Sequence, residues 1–185
     1  MKKIKKMNDF HRRLEKEIPR LRRYASALTR NEIRADDLVQ DTFTRAIEKE
    51  HLWEPGTDLR AWLFTIMHNQ NVNLVRRAVR EVTTVDFEAR SQSLVATTDA
   101  TASRQLRELE RALGELPEDQ RQVILLVGLE GMSYEKAAAI VNVPLGTIRS
   151  RLSRGRAALR VLMSIEERRP NRASEHYLKA PQMAA

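Results

Sequence analysis

The sequence contains no cysteine among its 185 residues. Disulfide bonds, thiolate metal sites and cysteine nucleophiles are therefore excluded, and the chain suits a reducing compartment. It also lacks a continuous apolar stretch: the basic N-terminus runs into no hydrophobic segment, and no later stretch is long enough to span a bilayer. We expect a soluble, cytoplasmic protein without membrane insertion.

Enzyme motifs are missing too. The chain has no P-loop, HExxH or GxSxG motif, and its histidines at positions 11, 51, 68 and 176 do not have metal-ligand spacing. We therefore expect no enzyme, no catalytic residue, no metal and no cofactor. An active site built from residues far apart in sequence remains an alternative.

Acidic residues are absent from one long basic stretch. Residues 146–160, GTIRSRLSRGRAALR, hold five arginines, and residues 145–160 hold no acid, in a chain of net charge +8. A merely solvated helix commonly intersperses glutamate for pairing at i to i+4, so the pattern favours a polyanionic partner. From charge alone, DNA, RNA and an anionic membrane surface all remain possible.

Apolar residues recur with helical periodicity in both halves of the chain. Apolar residues recur at helical spacing over residues 8–29, 34–50 and 58–80 and again after residue 104, and no strand alternation competes. Residues 83–103 are rich in Thr, Ser, Ala and Asp and predict a flexible linker. We predict an all-α protein with two small domains, followed by a disordered tail. The predicted boundaries are 8–82 for the first domain, 104–166 for the second and 167–185 for the tail.

The second half predicts a helix-turn-helix. Ser133 can cap a short helix, NVP can form the turn, and a longer helix begins near Leu145. One face of this longer helix is apolar, with Gly155 among its residues, and we expect it to be buried. The other sides suit the major groove of DNA, where arginine reads guanine. The residues predicted to face the groove are Thr147, Arg149, Ser150, Ser153 and Arg154, with Arg151 and Arg156 placed at the phosphates.

A different surface is predicted in ADDLVQDTFTRAIEKE, residues 35–50. Helical spacing turns Leu38, Val39, Phe43, Ala46 and Ile47 toward a core. The polar residues Asp37, Gln40, Asp41 and Arg45 are left at the surface, where they suit the basic surface of a protein partner. A simpler interpretation is that these acids favour the start of a helix.

The segment after residue 51 combines a loop with a helix that carries aromatics, amides and arginines. Thr57 or Asp58 can cap this helix. Aromatic rings, amides and arginines together suit single-stranded nucleic acid, whose bases stack while its phosphates pair with cations. Aromatics at helical spacing are also typical of a core, and we expect Trp62, Leu63 and Ile66 to be mainly buried.

These segments resemble bacterial sigma-70 factors of the extracytoplasmic-function (ECF) group along nearly the whole chain. ADDLVQDTFTRA resembles the helix that binds the polymerase clamp, EPGTDLRAWLFTIMHNQ the segment that reads the −10 element, and the stretch from LPEDQ to GRAALR the region that reads the −35 element. EPGTDLRAWLFTI and GLEGMSYEKAA further resemble the alphaproteobacterial general-stress subgroup. His68 and Ser153 stand where the family often has arginine and a larger side chain.

The resemblance implies a transcription initiation factor whose chemistry is done by RNA polymerase. Its expected partners are the β′ clamp helices and β flap of core polymerase, promoter DNA and an anti-sigma protein. The implied polymerase-binding residues are Asp37, Leu38, Gln40, Asp41 and Arg45. The implied −10 residues are Pro55, Gly56, Thr57, Asp58, Arg60, Trp62, Thr65, His68, Asn69, Asn73, Arg76 and Arg77. The implied −35 residues are Thr147, Arg149, Ser150, Arg151, Ser153, Arg154 and Arg156.

Two other classes remain open. A sigma mimic that sequesters an anti-sigma factor need not keep a basic recognition helix and would be expected beside a receiver domain. A helix-turn-helix repressor would need one DNA-binding domain and a dimer interface, and it leaves residues 51–77 unexplained.

Overall fold

The computed structural model describes residues 2–81 and 100–167, with side chains over residues 9–77 and 104–163. Throughout the described residues the regular structure is helical and no strand occurs, as the periodicity predicts. Every helix in these ranges is too short or too polar to cross a membrane. We call residues 2–81 domain 1 and residues 100–167 domain 2.

Domain 1 is a bundle of three helices joined by short connections. They are α1 (Lys2–Thr29), α2 (Glu32–Glu48) and α3 (Leu59–Glu81), with a short 3₁₀ turn at Glu50–Leu52. Asn31 begins α2, because its side-chain oxygen accepts the backbone N–H of Arg34 at 2.9 Å. The predicted segments are confirmed within a few residues, except that α1 begins ahead of residue 8.

Domain 2 holds the remaining helices. They are α4 (Ala100–Glu115), α5 (Glu118–Ile124), α6 (Tyr134–Val141) and α7 (Leu145–Glu167). Pro117 precedes α5, and Glu118 and Asp119 occupy its first turn. One π-helical turn, Leu125–Leu129, extends α5 and is not predicted by the sequence.

The predicted boundaries differ from the structure at the linker. Helix α4 begins at Ala100, so the last residues of the predicted linker 83–103 are already helical. Helix propagation explains this, since adding a residue to an existing helix is easier than starting one. The rest of the predicted linker and the tail beyond Glu167 lie outside the described residues.

The two domains pack against each other. Helix α3 lies against α6, and α1 contacts both α5 and the π-helical turn. The buried apolar side chains of both domains form one continuous cluster, from Phe10 and Leu21 in α1 to Ile148 and Leu152 in α7. This packing places part of α3 at the domain interface, which affects several residues predicted to bind nucleic acid.

Candidate nucleic-acid and protein interfaces

The helix-turn-helix forms as its local signals predict. The Ser133 hydroxyl accepts the backbone N–H of Lys136 at 3.2 Å and begins α6. Asn142 ends that helix in the left-handed conformation at φ 51°, and its N–H donates to the carbonyl of Ala138. Pro144 then precedes α7 and its carbonyl accepts the N–H of Thr147. The turn is therefore fixed by backbone and cap hydrogen bonds.

The apolar face of α7 is buried against the rest of domain 2, as predicted. Ile148 and Leu152 are fully or nearly fully buried, and Leu159 and Leu162 pack at the edge of the core. A Cβ at Gly155 would lie 2.6 Å from Cδ1 of Ile124 in α5. The glycine therefore allows α5 and α7 to approach closely, which fixes the orientation of the basic face.

The opposite side of α7 presents polar and basic side chains to solvent. Thr147 is half-buried, and its carbonyl accepts the hydroxyl of Ser150 at 2.9 Å. Arg151 differs from its neighbours because its Nε lies 3.0 Å from Oδ2 of Asp119, so it is held against α5. The other predicted residues of this set are exposed: Arg149, Ser150, Ser153, Arg154 and Arg156.

Helix α2 exposes the predicted polar surface. Asp37, Gln40, Asp41 and Arg45 are all solvent-exposed. Leu38 is fully buried in the core of domain 1, so its side chain supports this surface without being part of it. The resemblance had placed Leu38 among the polymerase contacts.

Two exposed isoleucines on α2 change the character of that surface. Ile47, which the spacing predicts to be buried, is half exposed, and Ile33 is 75% exposed. Each lies seven residues from Gln40, two helical turns away, and therefore on the same side of the helix. Exposed apolar side chains beside acids are typical of a protein interface. Ile33 was not among the residues predicted for this surface, although its spacing of seven residues from Gln40 is a readable signal.

The loop before α3 is shaped by local hydrogen bonds. Gly56 adopts φ +100°, a conformation that favours glycine, and the Thr57 hydroxyl donates to the carbonyl of Glu54 at 2.7 Å. Asp58 is the helix cap, since its Oδ1 accepts the N–H of Ala61 at 3.1 Å. The hydrogen bond from Lys136 of α6 also lowers the pKa of the Asp58 carboxyl. Pro55, Gly56, Thr57 and Asp58 are exposed.

Three predicted residues of α3 are engaged inside domain 1. Arg60 pairs with Glu17 of α1 at 3.2 Å. Trp62 is half-buried, with its ring 6.3 Å from that of Phe10, and the Thr65 hydroxyl donates to a carbonyl of its own helix. Asn69, Asn73, Arg76 and Arg77 are exposed farther along α3.

His68 is half-buried and faces domain 2. Nε2 of Gln122, in α5, lies 2.6 Å from its Nδ1. Burial lowers the pKa of the His68 imidazole, which keeps the ring neutral and its Nδ1 able to accept an amide N–H. Beside it, Nδ2 of Asn71 donates to Oε1 of Glu118 at 2.7 Å. No local sequence signal predicts these pairs, because each joins residues far apart along the chain.

Comparison with known proteins agrees with this geometry. Residues 14–68 match the family model described as the Sigma2 domain of PhyR, and residues 106–159 match Sigma-70, region 4. The first match covers most of domain 1, and the second covers the helix-turn-helix. The fold and both matches define a sigma-70-type protein.

Comparison with individual proteins identifies the group within the sigma-70 family. The chain is 42% identical over 149 residues to the ECF RNA polymerase sigma factor EcfG of Rhodopseudomonas palustris, covering 80% of this chain and 82% of that protein. The sigma factor RpoE of Bartonella quintana, solved with the anti-sigma factor NepR, superposes with a TM-score of 0.75 at 39% identity, covering 85% of this chain and 98% of that one. CnrH, solved with the cytosolic domain of CnrY, gives a TM-score of 0.64 at 27% identity, covering 86% and 90%. This chain therefore belongs to the ECF RNA polymerase sigma factor family, which confirms the resemblance.

Proposed function

We propose that this chain binds core RNA polymerase and directs it to promoters that carry two separated elements. In this proposal α7 reads the −35 element, α3 and the loop before it read the −10 element, and α2 binds the polymerase clamp. The observation that carries the proposal is the presence, in one ECF-family chain, of a basic recognition helix that is free of acids over residues 145–160 and of a separate acidic and apolar surface.

The −35 assignment is supported by the exposure and chemistry of α7. Its exposed residues include Arg149 near the N-terminal end, where a recognition helix enters the major groove. Arginine can donate two hydrogen bonds to guanine, and the neighbouring arginines can neutralise phosphates. Because Arg151 is tied to Asp119, it suits a positioning contact to the backbone better than a base contact.

The −10 assignment is supported by a loop and a helix that combine exposed backbone, amides and cations. The loop at Pro55–Asp58 is open to solvent, and Asn69 and Asn73 expose amides that can read the edges of unpaired bases. The exposed Arg77 lies in the same polar stretch. Capture of an extruded base offsets an unstacking cost of a few kcal/mol, so binding itself would favour strand opening.

The polymerase assignment is supported by the exposed face of α2. Asp37 and Asp41 can pair with basic side chains, while Ile33 and Ile47 can be buried by a partner helix. The polymerase supplies the catalytic site, so this chain contributes recognition alone.

Control by an anti-sigma protein is supported by relatives. RpoE of Bartonella quintana was solved with the anti-sigma factor NepR, and CnrH with the cytosolic domain of CnrY. A partner with basic and apolar side chains that covered α2 would prevent polymerase binding here by occupying the same surface.

Run-off transcription tests the proposal. Purified core polymerase is incubated with fragmented bacterial genomic DNA, with and without this chain, and the transcripts are mapped. New discrete transcripts whose upstream sequences share two spaced elements are expected. Core binding without new transcripts, using the polymerase of the source organism, would contradict promoter recognition.

A sigma mimic is the second candidate, because the family model matched by domain 1 is named for PhyR. A mimic would bind an anti-sigma protein, but it would bind neither core polymerase nor duplex DNA that carries the −35 element. The exposed arginines of α7 favour the sigma factor. Titration of labelled chain with core polymerase separates the two, since only a sigma factor binds.

A further inference from the structure

We infer that domain 2 acts as an internal cover for the −10 surface of α3, held by a polar latch between the domains. The inference rests on the proposed function for its consequence, namely that the closed chain binds the −10 strand weakly. The closure itself rests on four side-chain pairs that join the domains. They are Asn71–Glu118, His68–Gln122, Asp58–Lys136 and Arg23–Glu130.

The latch overlaps the nucleic-acid surface. Asp58 and His68, both assigned to the −10 set, have side-chain partners in domain 2. A strand that used these side chains would have to displace Lys136 and Gln122. Closure and strand binding therefore compete for the same atoms, and the closed fraction of the chain reduces its apparent affinity for the strand.

The latch places buried polar side chains beside the apolar cluster that the two domains share. Of the four buried polar side chains in the described part of the chain, three lie at this interface: Asn71, Gln122 and Glu130. Gln122 of domain 2 is placed between His68 and Tyr24 of domain 1, and burial raises the pKa of the Tyr24 hydroxyl, to which Gln122 hydrogen-bonds. Interfaces between domains that separate are more polar than permanent ones, because their polar groups can return to water.

In the latch, the carboxylate of Glu130 has a partner for one of its two oxygens among the described residues. The Glu130 side chain is fully buried, and its Oε1 lies 3.2 Å from the Arg23 guanidinium. Its Oε2 has no hydrogen-bond partner among the described residues. A buried carboxylate oxygen without a partner disfavours the closed state, since opening would return it to water. The closed state is thus held by the apolar cluster that the two domains share and by these polar pairs, and it is opposed by the cost of the unpaired oxygen.

The Asn71–Glu118 pair allows an isosteric test. Asn71→Asp places two carboxylates at hydrogen-bond distance and should open the chain. Glu118→Gln alone keeps an acceptor for Asn71 and should leave it closed. The double variant restores the pair with the donor on residue 118, so it should close again. Neither residue belongs to the proposed DNA or polymerase contacts.

Distances between spin labels report the closure directly. Because the sequence has no cysteine, Glu48→Cys in α2 and Ala157→Cys in α7 provide two unique, exposed labelling sites. Pulsed electron paramagnetic resonance should give one narrow distance for the parent, Glu118→Gln and the double variant. A longer, broader distribution is expected for Asn71→Asp. A broad distribution in the parent, or no change in Asn71→Asp, would overturn the inference.

A second cycle guards against a folding defect at residue 71. Glu130→Arg places two cations against each other and should open the chain, and adding Arg23→Glu should restore the narrow distance. Circular dichroism confirms the helical content of every variant. Opening without rescue in both cycles would indicate loss of packing and would contradict a latch.

Strand binding tests the consequence. The probe is a fluorescein-labelled single strand carrying the −10 sequence identified upstream of the mapped run-off transcripts. Asn71→Asp and the double variant both carry aspartate at position 71, in domain 1. A difference between their Kd values for the strand therefore reports the effect of closure. The Kd of Asn71→Asp should be about tenfold lower than that of the double variant if about nine-tenths of the double variant is closed, as in the parent. Equal Kd values, with the distance cycle behaving as expected, would overturn the covering role. Absence of binding by all variants would count against the proposed function and leave the measured closure standing.

Discussion

Gly155 shows how a single residue fixes the basic face of α7. The helix approaches α5 so closely at this position that an added Cβ would meet Cδ1 of Ile124 and lie 3.3 Å from Cβ of Gln120. Alanine can be accommodated by rotation of the isoleucine side chain, but a branched side chain would push the helices apart.

We therefore predict that Gly155→Val destabilises the protein by about 1–3 kcal/mol, because it overpacks the α5–α7 contact. Urea unfolding followed by circular dichroism measures the change. Gly146→Ala is the matched control, since a Cβ there meets nothing within 4 Å. Equal stability of Gly155→Val and the parent would show that the two helices can separate without cost.

Two arginines of α7 should differ in how they use DNA. Arg149→Ala should reduce discrimination between the −35 sequence and unrelated duplex by about 1–3 kcal/mol, as expected for loss of a base contact. Arg156→Ala should instead weaken binding to both duplexes equally. It should also lower the slope of log affinity against log salt concentration by about one. Fluorescence anisotropy over a range of salt concentrations distinguishes them. Identical behaviour of the two variants would contradict the assignment.

At the scale of elements, α2 combines a buried and a functional face. Phe43 and Ala46 pack toward the core, while Asp41 and the two isoleucines face outward. Asp41→Lys should weaken core polymerase binding about tenfold or more, because it places like charges together at the clamp. Glu48→Lys makes the same charge change on an exposed position outside the set. Comparable losses from both substitutions would indicate general electrostatics and not a specific surface.

The elements also show what sequence can and cannot predict. The helix-turn-helix was predictable because each of its signals is local: the Ser133 cap, the Asn142 turn and the proline before α7 act within a few residues. The burial of Ile47 was predicted wrongly, because helical spacing identifies a stripe but not its edges. The latch could not be predicted at all, since pairs such as Asn71–Glu118 depend on how two folded domains meet.

At the scale of the whole molecule, the half-buried imidazole of His68 links closure to pH. Its pKa in the closed chain lies below the ordinary value of 6.5, chiefly because of burial, with Gln122 and Glu118 of α5 raising it and Arg151 of α7 lowering it. Well above pH 6.5 the ring is neutral in both states, so protonation does not oppose closure. As pH falls below 6.5 the open state takes up the proton more readily, so closure weakens.

The expected result is a growth of the longer spin-label distance between pH 7.5 and pH 5.5. His68→Gln should remove most of that growth, because the amide does not titrate. The measurement is made on the full chain at constant ionic strength. Persistence of the pH response in His68→Gln would assign it to another group.

The shared face of α3 has an evolutionary consequence. His68 contacts Gln122 within the described part of the chain and, in the proposed open state, contacts the promoter strand. A substitution that improves promoter reading is retained only if position 122 can still meet the new side chain. We therefore expect residues 68 and 122 to vary together among relatives, so that promoter preference and domain closure change together.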